Sequence, residues 1–172
     1  MTKKLIDFNY CIWFVPENTE FLKKFTNGFI PHMTIFSKLD YHVACSKFNE
    51  LKENIHSINV ERDPEVSISI DTNSESLLTD IKCNNITTNF FIAFYYSLKI
   101  LNTNLKKIYW YPDNPHISFK YFYQPLDTIN LDKELYSLQI PQYFKLTNVC
   151  LVKCIGHFKE WEIITSFNTQ SK

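Results

Sequence analysis

One short pattern occurs twice in this sequence, as FIPHMTIF at residues 29–36 and as NPHISFKY at residues 114–121. Both copies contain Pro-His, an apolar residue, a hydroxyl residue and another apolar residue. Since side chains at i and i+2 of a β-strand point to the same face, each copy predicts a strand with an imidazole beside a hydroxyl and with apolar residues on its buried face. The two pairs are His32 with Thr34 and His116 with Ser118.

Two imidazoles and two hydroxyls around one point suit phosphodiester chemistry without a metal. In-line attack at phosphorus requires a base for the nucleophile and an acid for the leaving oxygen, and imidazole can serve as either near pH 7. Hydroxyls can donate hydrogen bonds to the non-bridging oxygens. A single copy of the pattern is more often structural, but two copies on two strands favour catalysis by His32 and His116. The sequence leaves open which histidine is the base.

Other chemistries have less support in the sequence. A catalytic zinc site needs a third ligand at a suitable spacing, and His42, His56 and His157 do not supply one. There is no H-E-x-x-H, C-x-x-C or G-x-S-x-G motif. We therefore predict no metal, no cofactor, and neither a serine nor a cysteine nucleophile.

The composition favours a small ligand and a reducing compartment. The chain has 172 residues and a net charge of zero, which fits one domain over 1–172 and argues against binding to long nucleic acid. Its five cysteines are an odd number, so reduced thiols and a cytoplasmic location are expected. The longest apolar run, 90–101, is too short to span a bilayer, so we predict no membrane partner. We also expect a monomer.

The coarse pattern of elements predicts an α+β fold, in the order β-α-β-α-β-β-α-β-β-β. Asp40 is positioned to cap a helix over 41–58, and apolar spacing predicts a further helix over 87–102. Gly28 would end a short helix over 17–27. The predicted strands are 8–15, 31–36, 66–70, 115–121, 143–154 and 160–167, with a weaker candidate at 76–83. A further short helix is predicted at 131–138.

The doubled motif resembles the signature of the two-histidine (2H) phosphoesterases, the superfamily of RNA-ligase-like cyclic phosphodiesterases. YCIWFVP, LTNVCLVK and EWEIITSF are similar in order and spacing to plant-type cyclic nucleotide phosphodiesterases, so the resemblance covers most of the chain. It implies a bilobal, pseudo-symmetric α+β fold with two antiparallel sheets flanking a cleft and helices outside. It also implies catalytic His32 and His116, phosphate-binding Thr34 and Ser118, and no metal.

The same resemblance implies aromatic contacts to a nucleobase from Trp13 in the first strand and Tyr121 after the second motif. Strict alternation points Lys120, rather than Tyr121, to the side of His116. Either Lys120 lies in the cleft and helps to neutralise phosphate, or the strand bulges there and Tyr121 faces the substrate.

The resemblance implies substrates in which a ribose hydroxyl lies next to the phosphorus. These include cyclic dinucleotides such as 2′,3′-cGAMP, 2′,5′-oligoadenylate, and 2′,3′- or 1″,2″-cyclic phosphates. Of the 18 basic residues only Arg62 is arginine, a bias expected of an AT-rich genome such as that of a virus or a parasitic microbe. A viral enzyme would act in the host cytoplasm on a host nucleotide second messenger. The alternatives are RNA or tRNA processing, a catalytically inactive nucleotide-binding module, and an interaction protein that only keeps the fold.

Overall fold

The computed structural model describes residues 9–26, 28, 30–70, 94–101, 103–122, 139–155 and 158–169. The described residues form an α+β fold, as predicted, and this fold is mostly sheet. No helix within them is long and apolar enough to cross a membrane. The elements are β1 (Tyr10–Pro16), α1 (Thr19–Leu22), β2 (His32–Leu39), α2 (Tyr41–Asn54), β3 (Ile58–Ile70), β4 (Phe94–Ile100), β5 (His116–Phe122), β6 (Tyr143–Lys153) and β7 (Glu162–Asn168), with short 3-10 turns at Lys23–Phe25, Thr103–Lys107 and Phe158–Glu160.

All the described strands belong to one antiparallel sheet. Its order is β1-β2-β5-β4-β3-β6-β7, and β1 also pairs with β6, so six strands close into a ring while β7 extends from β6. The chain therefore brings together strands that are far apart in sequence, above all β2 with β5 and β1 with β6. The described strands are continuous with one another and do not divide into two separate sheets.

Helix α2 covers one face of this sheet. Its apolar residues Ala44, Phe48 and Leu51 are buried in the main core, as their helical spacing predicts. Asp40 caps the helix by accepting hydrogen bonds from the backbone N–H groups of residues 42 and 43. The predicted end at residue 58 is wrong, because the helix ends at Asn54 and the following residues pair with β6 as the start of β3.

The helix predicted over 87–102 is wrong where the structure describes this segment, because Phe94–Ile100 is strand β4. Tyr96, Leu98 and Ile100 are buried on one face, and Ser97 and Lys99 alternate with them, which is the period of a strand. β4 lies between β3 and β5 and pairs with both. This pairing on two edges overrides a local apolar spacing that fits a helix almost as well.

Strand β3 is longer than the predicted 66–70 and contains the single arginine. The register shifts between Arg62 and Val66, a stretch that contains the Asp63–Pro64 step. Arg62 is 2% exposed, and its guanidinium donates hydrogen bonds to the backbone carbonyls of Ile140, Pro141, Asp63 and Pro64. Backbone carbonyl groups near the register shift of β3 therefore stabilise the charge of Arg62 by hydrogen bonds.

Several other predictions concern the ends of elements. β6 and β7 confirm the strands predicted at 143–154 and 160–167, and they pair antiparallel with each other. Gly28 follows the short α1 and its 3-10 turn with a φ of 88°, a left-handed conformation that favours glycine. No disulfide joins any two of the four described cysteines. The strand predicted at 76–83 and the helix predicted at 131–138 lie outside the described residues.

Candidate active site

The two histidine motifs lie on neighbouring strands. β2 and β5 pair antiparallel, with His32 opposite Ser118 and Met33 opposite Ile117. The apolar residues of both motifs are buried in the main core, on the face that α2 covers. By strand alternation the histidines and hydroxyls lie on the opposite face. The antiparallel register therefore sets the imidazole of the first motif against the hydroxyl of the second.

Two further strands complete this polar face. In the pairing of β1 with β2, Trp13 lies opposite Thr34. In the pairing of β4 with β5, Ser97 lies opposite Ser118 and Lys99 lies opposite His116. Residues that face each other in an antiparallel pair share a side of the sheet. We call the resulting set the site face; it comprises Trp13, His32, Thr34, Ser97, Lys99, His116 and Ser118.

Both histidines make the same local contact with the residue that precedes the proline of their motif. The Nδ1 atom of His32 lies 2.8 Å from the carbonyl oxygen of Ile30, and Nδ1 of His116 lies 2.9 Å from that of Asn114. A carbonyl oxygen only accepts, so Nδ1 carries the hydrogen in each pair. The neutral form of each ring then has its lone pair on Nε2, and both histidines can accept or release a proton at the same atom.

The two histidines differ in their exposure to solvent. His32 is 2% exposed whereas His116 is partly exposed. Burial lowers the pKa of His32 from 6.5 to about 3; the hydrogen bond with Ile30 opposes this change and the charge of His116 adds to it. His32 is therefore neutral at pH 7. The influence of His116 also indicates that the two imidazoles are close enough for their charges to interact.

Trp13 packs directly on the first imidazole. The rings of Trp13 and His32 stack with centroids 3.6 Å apart and an angle of 8° between their planes. Trp13 is 3% exposed, and its ring also lies 5.9 Å from that of Trp161. It joins a small apolar cluster with Cys150 on the neighbouring strand, where burial raises the pKa of the thiol to about 11. The Trp13 ring thus covers one face of His32.

The structure brings together five of the seven predicted site residues. Thr34 is partly buried and Ser118 is 3% exposed, and both share the site face with the histidines and Trp13. The backbone of β5 shifts its register against β4 between Ser118 and Lys120. The side chains of Lys120 and Tyr121 lie outside the described part of the chain, so the choice between them stays a prediction.

Ser97 and Lys99 were missed because the sequence reading assigned their segment to a helix. Ser97 is 3% exposed, and Lys99 is exposed. The signal that could have found them is the alternation in YSLKI (residues 96–100), where every second residue is apolar. A strand reading of this segment would have placed Ser97 and Lys99 on one polar face.

The described residues contain no group of three or more His, Cys, Asp or Glu side chains arranged to hold a metal ion. The site face therefore offers imidazoles, hydroxyls and one ammonium group as its polar functional groups. Neither a scan against protein-family models nor a search of curated proteins found a match to this sequence.

Proposed function

We propose that this protein is a phosphodiesterase that cleaves 2′-linked or cyclic nucleotide phosphodiesters by acid-base catalysis between His32 and His116, without a metal. The observation that carries the proposal is the pairing of β2 with β5, which sets His32 opposite Ser118 on one polar face. The interaction between the charges of the two imidazoles supports it further. Membership of the 2H phosphoesterases, with their bilobal fold, is part of the same proposal.

The difference between the histidines favours one assignment of roles. His32 is neutral at pH 7 and takes the proton from the attacking ribose hydroxyl or water as the new P–O bond forms. His116, partly exposed, gives a proton to the leaving oxygen as the old P–O bond breaks. A substrate phosphate raises the pKa of a nearby imidazole, because the negative charge favours the protonated ring. The proton on His32 is thus stabilised when the substrate is bound.

The hydroxyls and the outer residues have supporting roles in this proposal. Thr34 and Ser118 donate hydrogen bonds to the non-bridging oxygens, where charge develops during the reaction. At the end of β5, either Lys120 adds a contact to phosphate or Tyr121 contacts the nucleobase. Trp13 contacts the nucleobase or orients His32. The protein acts as a cytoplasmic monomer, in the host cytoplasm if its origin is viral.

The substrate is a small nucleotide. Zero net charge over 172 residues supports this, since proteins that bind long nucleic acids gain most of their affinity from many basic contacts to phosphate. Cyclic dinucleotides and 2′,5′-oligoadenylates, as second messengers, are the first candidates. A cyclic phosphate formed during RNA or tRNA processing is the alternative substrate of the same chemistry.

A panel of substrates tests the proposal. The purified protein is incubated in EDTA with 2′,3′-cGAMP, 2′,5′-oligoadenylate, 2′,3′-cyclic AMP and ADP-ribose 1″,2″-cyclic phosphate, and the products are separated by chromatography. We expect turnover of at least one compound at the same rate with and without EDTA. A 3′,5′-linked dinucleotide serves as the control that should be cleaved slowly or not at all. If no compound of the panel is turned over, the proposed phosphodiesterase activity is contradicted.

One observation favours a second candidate, a nucleotide-binding module without turnover. A histidine with a pKa of about 3 is a weak base in the unliganded protein, because efficient proton transfer needs a pKa near the working pH. Such a module would bind members of the panel and release them unchanged. Calorimetric binding measured beside the turnover assay separates the two candidates.

Substitution of Trp13 tests whether this ring orients His32, the proposed general base, or contacts the nucleobase of the substrate. If the stacked ring mainly orients His32, Trp13→Leu should lower kcat about 10-fold for every substrate of the panel that is cleaved, whichever nucleobase the substrate carries. If Trp13 instead contacts the nucleobase, the change should raise KM and depend on the base. Trp161→Leu is the matched control, since this tryptophan lies just before β7, outside the motif strands, and its ring packs against that of Trp13. Comparison of kcat and KM for adenine and guanine substrates distinguishes the two roles.

A further inference from the structure

We propose that Lys99 on β4 binds the anionic phosphate of the substrate, as a third strand's contribution to the site of the two histidine motifs. This inference rests on the proposed phosphodiesterase and deepens it, because it assigns the positive charge that the motifs themselves lack. It comes from the strand register, which places Lys99 opposite His116. The hydroxyl on the same side of β4, Ser97, lies opposite Ser118.

A charge balance at the site shows why a cation is needed. A phosphodiester has one negative charge, and more charge gathers on its non-bridging oxygens during attack. Thr34 and Ser118 offer neutral hydrogen-bond donors, and the buried imidazole of His32 is neutral at pH 7. Of the two histidines, only His116 could then offset the charge of the phosphate, and it also gives up its proton in the reaction. A lysine side chain on the same face removes this conflict.

The other basic residues near the site are less well placed. β1 has no Lys or Arg, and Lys38 on β2 is six residues beyond His32, about 20 Å away along an extended strand. Arg62 is buried and donates its hydrogen bonds to backbone carbonyls. Lys120 on β5 has no described side chain. Among the described side chains on β1, β2, β4 and β5, the ammonium of Lys99 is therefore the cation nearest to the histidines by register.

Lys99 also has the freedom that a ligand-binding lysine needs. It is exposed, unlike its strand neighbours Leu98 and Ile100. Within the described part of the chain, no carboxylate forms an ion pair with Lys99. Directly opposite residues of an antiparallel pair have Cβ atoms about 5 Å apart. The four-carbon side chain of lysine then spans the distance to a phosphate held by His116.

The test compares Lys99→Met with Lys99→Arg. We expect Lys99→Met to lower kcat/KM about 10-fold on the panel substrate that is cleaved, and to weaken binding of adenosine 2′-monophosphate about 10-fold by calorimetry. Lys99→Arg keeps the charge and should remain within about 3-fold of the unmodified protein in both measurements. Lys52→Met removes an exposed lysine from α2, on the other face of the sheet, and should change neither value. Thermal unfolding checks that all variants are folded.

The outcomes separate this inference from the function on which it rests. If His116→Ala loses turnover while Lys99→Met keeps both its kcat/KM and its affinity for adenosine 2′-monophosphate, the role of Lys99 is overturned and the enzyme stands. If the protein binds this nucleotide through Lys99 but turns over no substrate, the proposed phosphodiesterase activity is contradicted and the proposed anion site at Lys99 is supported. If the unmodified protein does not bind the nucleotide, the anion site is overturned.

Discussion

His32→Ala and His116→Ala each lower kcat for phosphodiester cleavage by about 100- to 10,000-fold, the range that a positioned acid or base contributes. Each change removes one of the two proton transfers, so neither variant can complete the reaction by the normal route. KM should change less than kcat, because the hydroxyls of Thr34 and Ser118 still contact the phosphate. Steady-state kinetics in EDTA on the substrate identified from the panel measure both values.

The double variant strengthens this prediction. When residues act as a unit, the first substitution already removes most of the rate enhancement that they supply together. The double variant with both His32→Ala and His116→Ala should therefore have a kcat only slightly below that of either single variant. His42→Ala, at an exposed position of α2, is the control and should keep full activity. If either His32→Ala or His116→Ala retains more than about a tenth of the activity, the paired acid-base mechanism is contradicted.

The free energy of unfolding should fall when the pH is lowered, and His32 should account for a large part of the fall. In the folded protein burial lowers the pKa of His32 to about 3, against 6.5 for an ordinary histidine. Below pH 6.5 the unfolded chain binds a proton that the folded chain does not, so stability decreases with pH until about pH 3, where the folded form is protonated too. Between pH 7 and pH 5 the loss from this group alone is about 2 kcal/mol.

The matched variant His32→Gln isolates this contribution, because glutamine does not titrate. Urea unfolding at pH 7, 6 and 5 gives the loss of stability for each protein. We expect the loss in His32→Gln to be smaller than in the unmodified protein by about 2 kcal/mol, even if the variant is less stable at every pH. His42→Gln should follow the unmodified protein. Equal losses in all three proteins would show that His32 is not held neutral by burial.

The local arrangement of the site was readable from the sequence. Alternation on a strand predicted that His32 and Thr34 share a face, and the structure agrees, with Met33 and Ile35 buried on the other. The helix cap at Asp40 was likewise predicted from a residue and its immediate neighbours. These features depend on covalent geometry and on contacts within a few residues, so local sequence is enough to specify them.

The error at β4 shows where local sequence stops being sufficient. A short run of aromatic and aliphatic residues fits a helical and an extended period almost equally well. What decides between them is the pairing of β4 with β3 on one edge and β5 on the other. The error also concealed Lys99 and Ser97, since a helix would have placed them away from the histidines.

The sequence by itself determined the two imidazole-hydroxyl pairs, because alternation along a strand is a property of neighbouring residues. Only the tertiary structure decided that His32 lies opposite Ser118, that Trp13 stacks on His32, and that β4 adds Lys99 beside His116. The register between strands far apart in the chain depends on how the whole sheet closes and on which side chains the closure buries. Burial, in turn, made the two chemically identical histidines different, because only His32 lost its contact with water.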